Sequence, residues 1–156
     1  MKEFLNKFLV HYHNKDILIK SSGRYVYLLD KKLNKKDEIK LPFCFPRDFH
    51  FNIPILKRLL RSDAKEIIYE KNNKKLIVIR NGQVFSIVEK KYKLLGSIVG
   101  DAPLFNSHCV HNDTIYFGQY NQNNSRKKVH IYKLDNKNNL SIAYTFKEGA
   151  IRHIHS

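Results

Sequence analysis

At 156 residues the chain has room for one ordinary domain, and 42% apolar residues suffice for a core, which excludes a disordered linker. A formal charge of +15 at pH 7 raises nucleic acid and anionic membrane surfaces as partners. The basic residues are 22 Lys and only 7 Arg beside 15 Asn and 16 Ile, and the lysines scatter through turns, so the charge reads as a solvated surface and nucleic acid is set aside.

Cys44 and Cys109 stand far apart in unlike contexts and form no metal-ligand spacing. They read as buried free thiols of a reducing compartment. No apolar run is long enough for a signal sequence or a membrane span, so the expected location is the cytoplasm.

In chain order, Phe8–His13 is a weakly marked first strand, and Asp16–Lys20 with Arg24–Leu29 form a hairpin around Ser21-Ser22-Gly23. Lys31–Lys36 is a charged turn and Asp37–Leu41 a third strand. Pro42 to Phe51 holds two prolines and four phenylalanines in an irregular connection. Apolar residues at 53, 56, 59 and 60 opposite Lys57, Arg58 and Arg61 predict one short helix over Ile53–Arg61. Strands resume at Lys65–Tyr69, Lys75–Arg80, Gln83–Val88, Lys93–Val99 and Phe105–Val110, with Asn81-Gly82 as a hairpin turn. Asp113–Gly118, Val129–Leu134 and Leu140–Phe146 follow, and the alternation in Ala150–His155 opens another strand.

Three stretches, 17–32, 76–91 and 115–137, repeat one plan of strand, turn, strand and an acid-then-basic turn. Repeats of this length, each a small antiparallel sheet, predict an all-β chain of β-propeller type. The expected blade-like units are 8–42, 62–100 and 105–147, with 150–156 starting the next. Closed propellers need about four to eight blades, so the expectation is a single incomplete propeller domain, completed by further blades or another chain. A self-contained small β domain is the alternative.

Phe117-Gly118-Gln119-Tyr120, Asn124, Arg126, Val129, Ile131, Tyr132, Phe146, Gly149 and Ile151 to His155 form a pattern of their own. Over this stretch the sequence resembles the sialidase-like, BNR-repeat propellers labelled glycosyl-hydrolase-like. Gln119 stands where that pattern has Glu, and the Asp-box turn is reduced to Asp135-Asn136-Lys137-Asn138-Asn139-Leu140, without its Gly pair and Trp. The resemblance implies a protein that binds or processes a carbohydrate in its central channel, with this chain inactive alone. A non-enzymatic propeller scaffold, binding glycan or protein, is the alternative.

In a propeller the innermost strands line the channel, here near Lys65–Tyr69, Phe105–His111 and Ile151–His155. That placement makes Arg152, His153 and His155 the candidate catalytic residues. His108, His153 and His155 are candidate ligands for a divalent metal such as Zn²⁺ or Mn²⁺, against a plainer role in packing. Gln119, Tyr120, Asn124 and Arg126 form a polar loop suited to sugar hydroxyls. His11 and His13 read as surface residues, and Asp101 and Asp113 as turn acceptors. No carboxylate pair at glycosidase spacing is visible.

Overall fold

The computed structural model describes residues 8–43, 48, 65–71, 74–104, 106–121 and 123–154. Every regular element among them is a strand, so the chain is all-β. The first sheet comprises β1 (Leu9–His13), β2 (Ile17–Ser22), β3 (Tyr25–Asp30) and β4 (Lys35–Lys40). The second comprises β5 (Glu66–Glu70), β6 (Lys75–Arg80), β7 (Gln83–Val88) and β8 (Lys91–Ser97). The third comprises β9 (His108–His111), β10 (Thr114–Gly118), β11 (Val129–Leu134) and β12 (Leu140–Phe146). Each is a four-stranded antiparallel meander in sequence order. The chain divides into two compact units, Met1–Asp63 with the first sheet and Ala64–Ser156 with the other two.

The repetition extends to the turns. In the first sheet, Asp30 Oδ1 accepts from the backbone N–H of Lys32 (2.8 Å) and Asn34 (2.9 Å). In the third, Asp135 Oδ1 accepts from Lys137 (2.9 Å) and Asn139 (2.8 Å). The fourth residue of each loop is left-handed, Leu33 at φ 65° and Asn138 at φ 68°. Both carboxyls are held below their ordinary value, chiefly by the N–H of Asn34 and Asn139 respectively. The two loops are one local solution, written Asp-Lys-Lys-Leu-Asn in one sheet and Asp-Asn-Lys-Asn-Asn in the other.

A second device recurs in all three sheets. The chain leaving the fourth strand donates a backbone hydrogen bond to the connection between the second and third. The bonds run Leu41 N–H to Arg24 O (2.7 Å), Ile98 N–H to Gly82 O (2.7 Å) and Gly149 N–H to Arg126 O (2.8 Å). Gly82 requires its φ of +71° there, and an added Cβ would stand 2.8 Å from the Gly100 carbonyl oxygen. In the first sheet Arg24 also closes on Leu41 O with its side chain, at 3.0 and 2.8 Å.

Within the second unit a core joins the second and third sheets. Ile68, Ile77, Ile79 and Val84 pack in one buried cluster with Ile115, Phe117, Tyr132 and Leu134. Burying side chains of this size contributes roughly 1.5–3 kcal/mol each. Phe117 and Tyr132, partners in the β10–β11 register, stack with centroids 5.7 Å apart. The Tyr132 hydroxyl accepts from the Val99 N–H at 2.9 Å. β6 is buried along its whole length, as a strand covered on both faces must be, and its continuous apolar run was visible in sequence. In the first unit Ile19, Val26, Leu29, Ile39 and Leu41 form the buried set.

Several expectations are corrected. The alternation at 150–155 does not make a strand through Ile154: a turn at 148–150 and the left-handed Gly149 (φ +82°) send the chain back over its own sheet. His155 lies outside the described residues, as do Cys44 and the helix expected over 53–61. Cys109 is exposed rather than buried, because β9 is the edge strand of its sheet. His11 is buried rather than on the surface, its Nε2 2.7 Å from the Ser21 Oγ at the bulge between Val10 and Tyr12. The charged turn 31–36 is shorter than expected, since Lys35 and Lys36 already belong to β4.

Candidate functional site

The connection from β10 to β11 is built by two amide side chains acting on backbone. Gln119, 1% exposed, donates its N–H to His130 O (2.9 Å) and accepts the His130 N–H on Oε1 (3.0 Å). Its Nε2 donates to Asn121 Oδ1 at 3.1 Å. Asn123 holds Lys127 from both sides, accepting its N–H on Oδ1 (2.8 Å) and donating Nδ2 to its carbonyl (2.9 Å). Gln119 and Asn123 therefore spend their hydrogen-bonding groups on the loop itself. Asn124, Ser125, Arg126, Lys127 and Lys128 remain exposed.

Beside this loop lies a cleft of ≈ 600 Å³ lined by Val99, Gln119, Asn121, Asn123, Ser125, Lys127, Lys128 and Glu148. Its groups are amide, hydroxyl and ammonium, with one carboxylate among the lining residues. Such a surface offers many donors over a small area and matches a hydroxyl-rich ligand.

The segment after β12 returns to the same loop. The Arg152 Nη2 donates to Asn124 Oδ1. The His153 ring meets Tyr120 edge-on, with centroids 5.2 Å apart. Ile154 fills the space over Gly118 so closely that an added Cβ there would lie 2.7 Å from Ile154 Cγ2. The structure thus gathers Tyr120, Asn124, Arg152 and His153 on one backbone frame with Gln119 and Arg126. Sequence reasoning assigned these to two separate groups, because the alternation after Gly149 reads as a strand of the next unit.

His108 belongs to a different constellation. Its Nδ1 sits 2.6 Å from Glu66 Oε1, and Glu66 Oε2 accepts the Asn106 N–H at 3.0 Å. The Glu66 side chain is fully buried while that of His108 is 22% exposed. Glu66 was not singled out from sequence, although a carboxylate opening the apolar run of β5 was a usable signal. Among the described residues no three His, Cys, Asp or Glu side chains converge as a metal site. His108 meets Glu66 and His153 meets Tyr120, and His155, the third residue of the expected metal set, lies outside the described residues. His111 is exposed, and the His130 Nδ1 lies 2.9 Å from Thr145 Oγ1.

A second cleft, ≈ 460 Å³, opens between β5 and β9–β10 and is lined by Ile68, Tyr69, Glu70, Lys71, Val110, Asp113, Ile115 and Asn136. Lys75 stands at its flank, 3.0 Å from Glu70 Oε2 and 2.9 Å from Asn138 Oδ1, tying the second sheet to the Asp135 turn of the third. No helix among the described residues is long and apolar enough to cross a membrane.

Fold and site together define an all-β protein of repeated four-stranded antiparallel meanders with a polar, loop-built cleft. No protein-family model matches the sequence, and no curated protein matches it.

Proposed function

We propose that the chain is a propeller-type carbohydrate-binding module of glycosyl-hydrolase-like descent, and that it binds a glycan without cleaving it. The three meanders, with their shared turn and shared exit hydrogen bond, support the reading of the sheets as blades of one repeat. The observation that carries the ligand class is the amide- and ammonium-lined cleft on the β10–β11 loop, the same loop whose Tyr120 and Asn124 meet His153 and Arg152. An aromatic ring beside dense hydrogen-bonding groups suits the apolar face and hydroxyls of a pyranose.

Hydrolysis would require two carboxylates flanking the bond. Glu148 alone lines the cleft, and position 119 carries an amide whose hydrogen bonds hold the loop. The purified chain on a panel of neutral and acidic glycans should therefore bind without turnover. Tyr120→Ala and the double change Lys127→Ala, Lys128→Ala should each weaken binding by roughly tenfold, equivalent to about 1.4 kcal/mol. Failure to retain any glycan at millimolar concentration sinks the ligand class; robust turnover sinks the claim of binding alone.

A further inference from the structure

The cleft on the β10–β11 loop holds an uneven stock of hydrogen-bonding groups. Its amide oxygens are already engaged: Gln119 Oε1 accepts the His130 N–H (3.0 Å), Asn121 Oδ1 accepts from Gln119 Nε2 (3.1 Å) and Asn123 Oδ1 accepts the Lys127 N–H (2.8 Å). The Lys127 and Lys128 ammoniums and the Ser125 hydroxyl belong to the same lining and have no partner among the described residues. Glu148 lines the cleft too without pairing with either lysine, so two cations stand against one anion. A sugar hydroxyl both donates and accepts, whereas this surface has donors to spare. A group made only of acceptors, an oxyanion, answers that surplus.

The kind of cation narrows the oxyanion. The flat guanidinium fork matches a planar carboxylate, while an ammonium is a point charge with three diverging donors. The described cleft residues include two lysines and no arginine. Two ammoniums and a hydroxyl leaving separate backbone positions suit the three outward oxygens of a tetrahedral ester. Their backbone is fixed beforehand. Asn123 holds Lys127 at its N–H (2.8 Å) and its carbonyl (2.9 Å), while Arg126 is held by Asn123 O (3.1 Å) and the Gly149 N–H (2.8 Å). Val129 then enters β11 opposite Phe146. Binding therefore orders side chains on a backbone already set, which keeps its entropic cost small.

We propose that this cleft takes a sugar carrying a sulfate or phosphate ester, whose charged oxygens meet Lys127, Lys128 and Ser125. The inference rests on the glycan-binding reading above and names the ligand within it. Glu148 is the one unfavourable charge of the lining and holds the affinity down. The second cleft of the same unit has the opposite balance, Lys71 against Glu70 and Asp113, and is not a second site of this kind.

Titration calorimetry on the full chain at ~0.15 M salt compares a sulfated oligosaccharide, a phosphorylated one, their unesterified parent, and a uronate and a single-stranded DNA of equal charge. The esterified sugars should bind roughly tenfold or more tightly than the parent and the uronate, and the tighter of the two identifies the ester. Lys127→Gln, Lys128→Gln and Ser125→Ala should each remove most of that preference, and Glu148→Gln should increase it severalfold, all with the far-ultraviolet spectrum intact. The double change Lys31→Gln, Lys32→Gln, at exposed positions of the Asp30 loop, should leave it unchanged. Equal affinity for the esterified sugars and either the parent or the uronate overturns the ester and leaves the glycan reading standing. No binding of any sugar at millimolar concentration overturns both. DNA bound as tightly as the esterified sugars, or a Lys31 and Lys32 change that matters as much as Lys127→Gln, assigns the affinity to net charge and overturns the proposal.

Discussion

The Glu66–His108 pair is the most consequential interaction between single residues outside the cleft. A carboxylate with no solvent exposure is tolerated when its oxygens are met, and here each of the two has a partner, His108 Nδ1 and the Asn106 N–H. Removing one partner leaves the other in place without its compensation, which costs more than the pair contributes. Glu66→Ala should lower the unfolding free energy by about 2–4 kcal/mol in urea denaturation, discounted for the partial exposure of His108. A loss under about 1 kcal/mol would mean that water or another donor serves the site equally well. His108 was read from sequence as a ligand or base because histidine on an inner strand invites that assignment. Its partner is forty-two residues away in the chain, and nothing in local sequence announces such a pairing.

At the scale of elements, the Asp30 and Asp135 loops set the third hairpin of two sheets and are open to a direct test. Each carboxyl is held below its ordinary value of 3.8 because backbone N–H groups favour the charged form. Folded values depressed below the unfolded one mean stability that is fully present above 3.8 and lost as pH falls through the folded value. The urea midpoint of the native chain should therefore fall on acidification from about pH 5 to about pH 2, and the double change Asp30→Asn, Asp135→Asn should flatten part of that slope. An unchanged slope would assign the acid sensitivity to other carboxylates. Strands of this kind were legible: β6, β7, β11 and β12 lie where alternation and turn residues placed them. The strand expected at 150–155 failed because alternation describes what a segment is able to pair as, and a strand forms only beside a partner. The segment instead spends Ile154 on Gly118 and Arg152 on Asn124.

For the whole molecule, the +15 charge is an electrostatic load on any compact state. Its 29 Lys and Arg outnumber its 14 Asp and Glu, and screening lengths fall from about 14 Å to about 4 Å as salt rises from ~0.05 to ~0.5 M. The thermal midpoint should rise across that range, because like-charge repulsion is relieved more than surface pairs such as Lys35 with Glu38 are weakened. A falling midpoint would show that specific ion pairs, Lys75 with Glu70 among them, outweigh the general repulsion.

The sequence by itself determined that this chain folds into strands, where most of them lie, and that three similar hairpin plans follow one another. It did so because period-two alternation, Asn-Gly and Asp-Asn turns act within a few residues and need no distant partner. Only the tertiary structure decided that Gln119 and Asn123 hold the loop rather than a ligand, that His108 answers to Glu66, and that Arg152 and His153 come to Asn124 and Tyr120. Those outcomes depend on which side chains remain unsatisfied once the sheets have packed, a quantity set by three-dimensional neighbours and not by spacing along the chain.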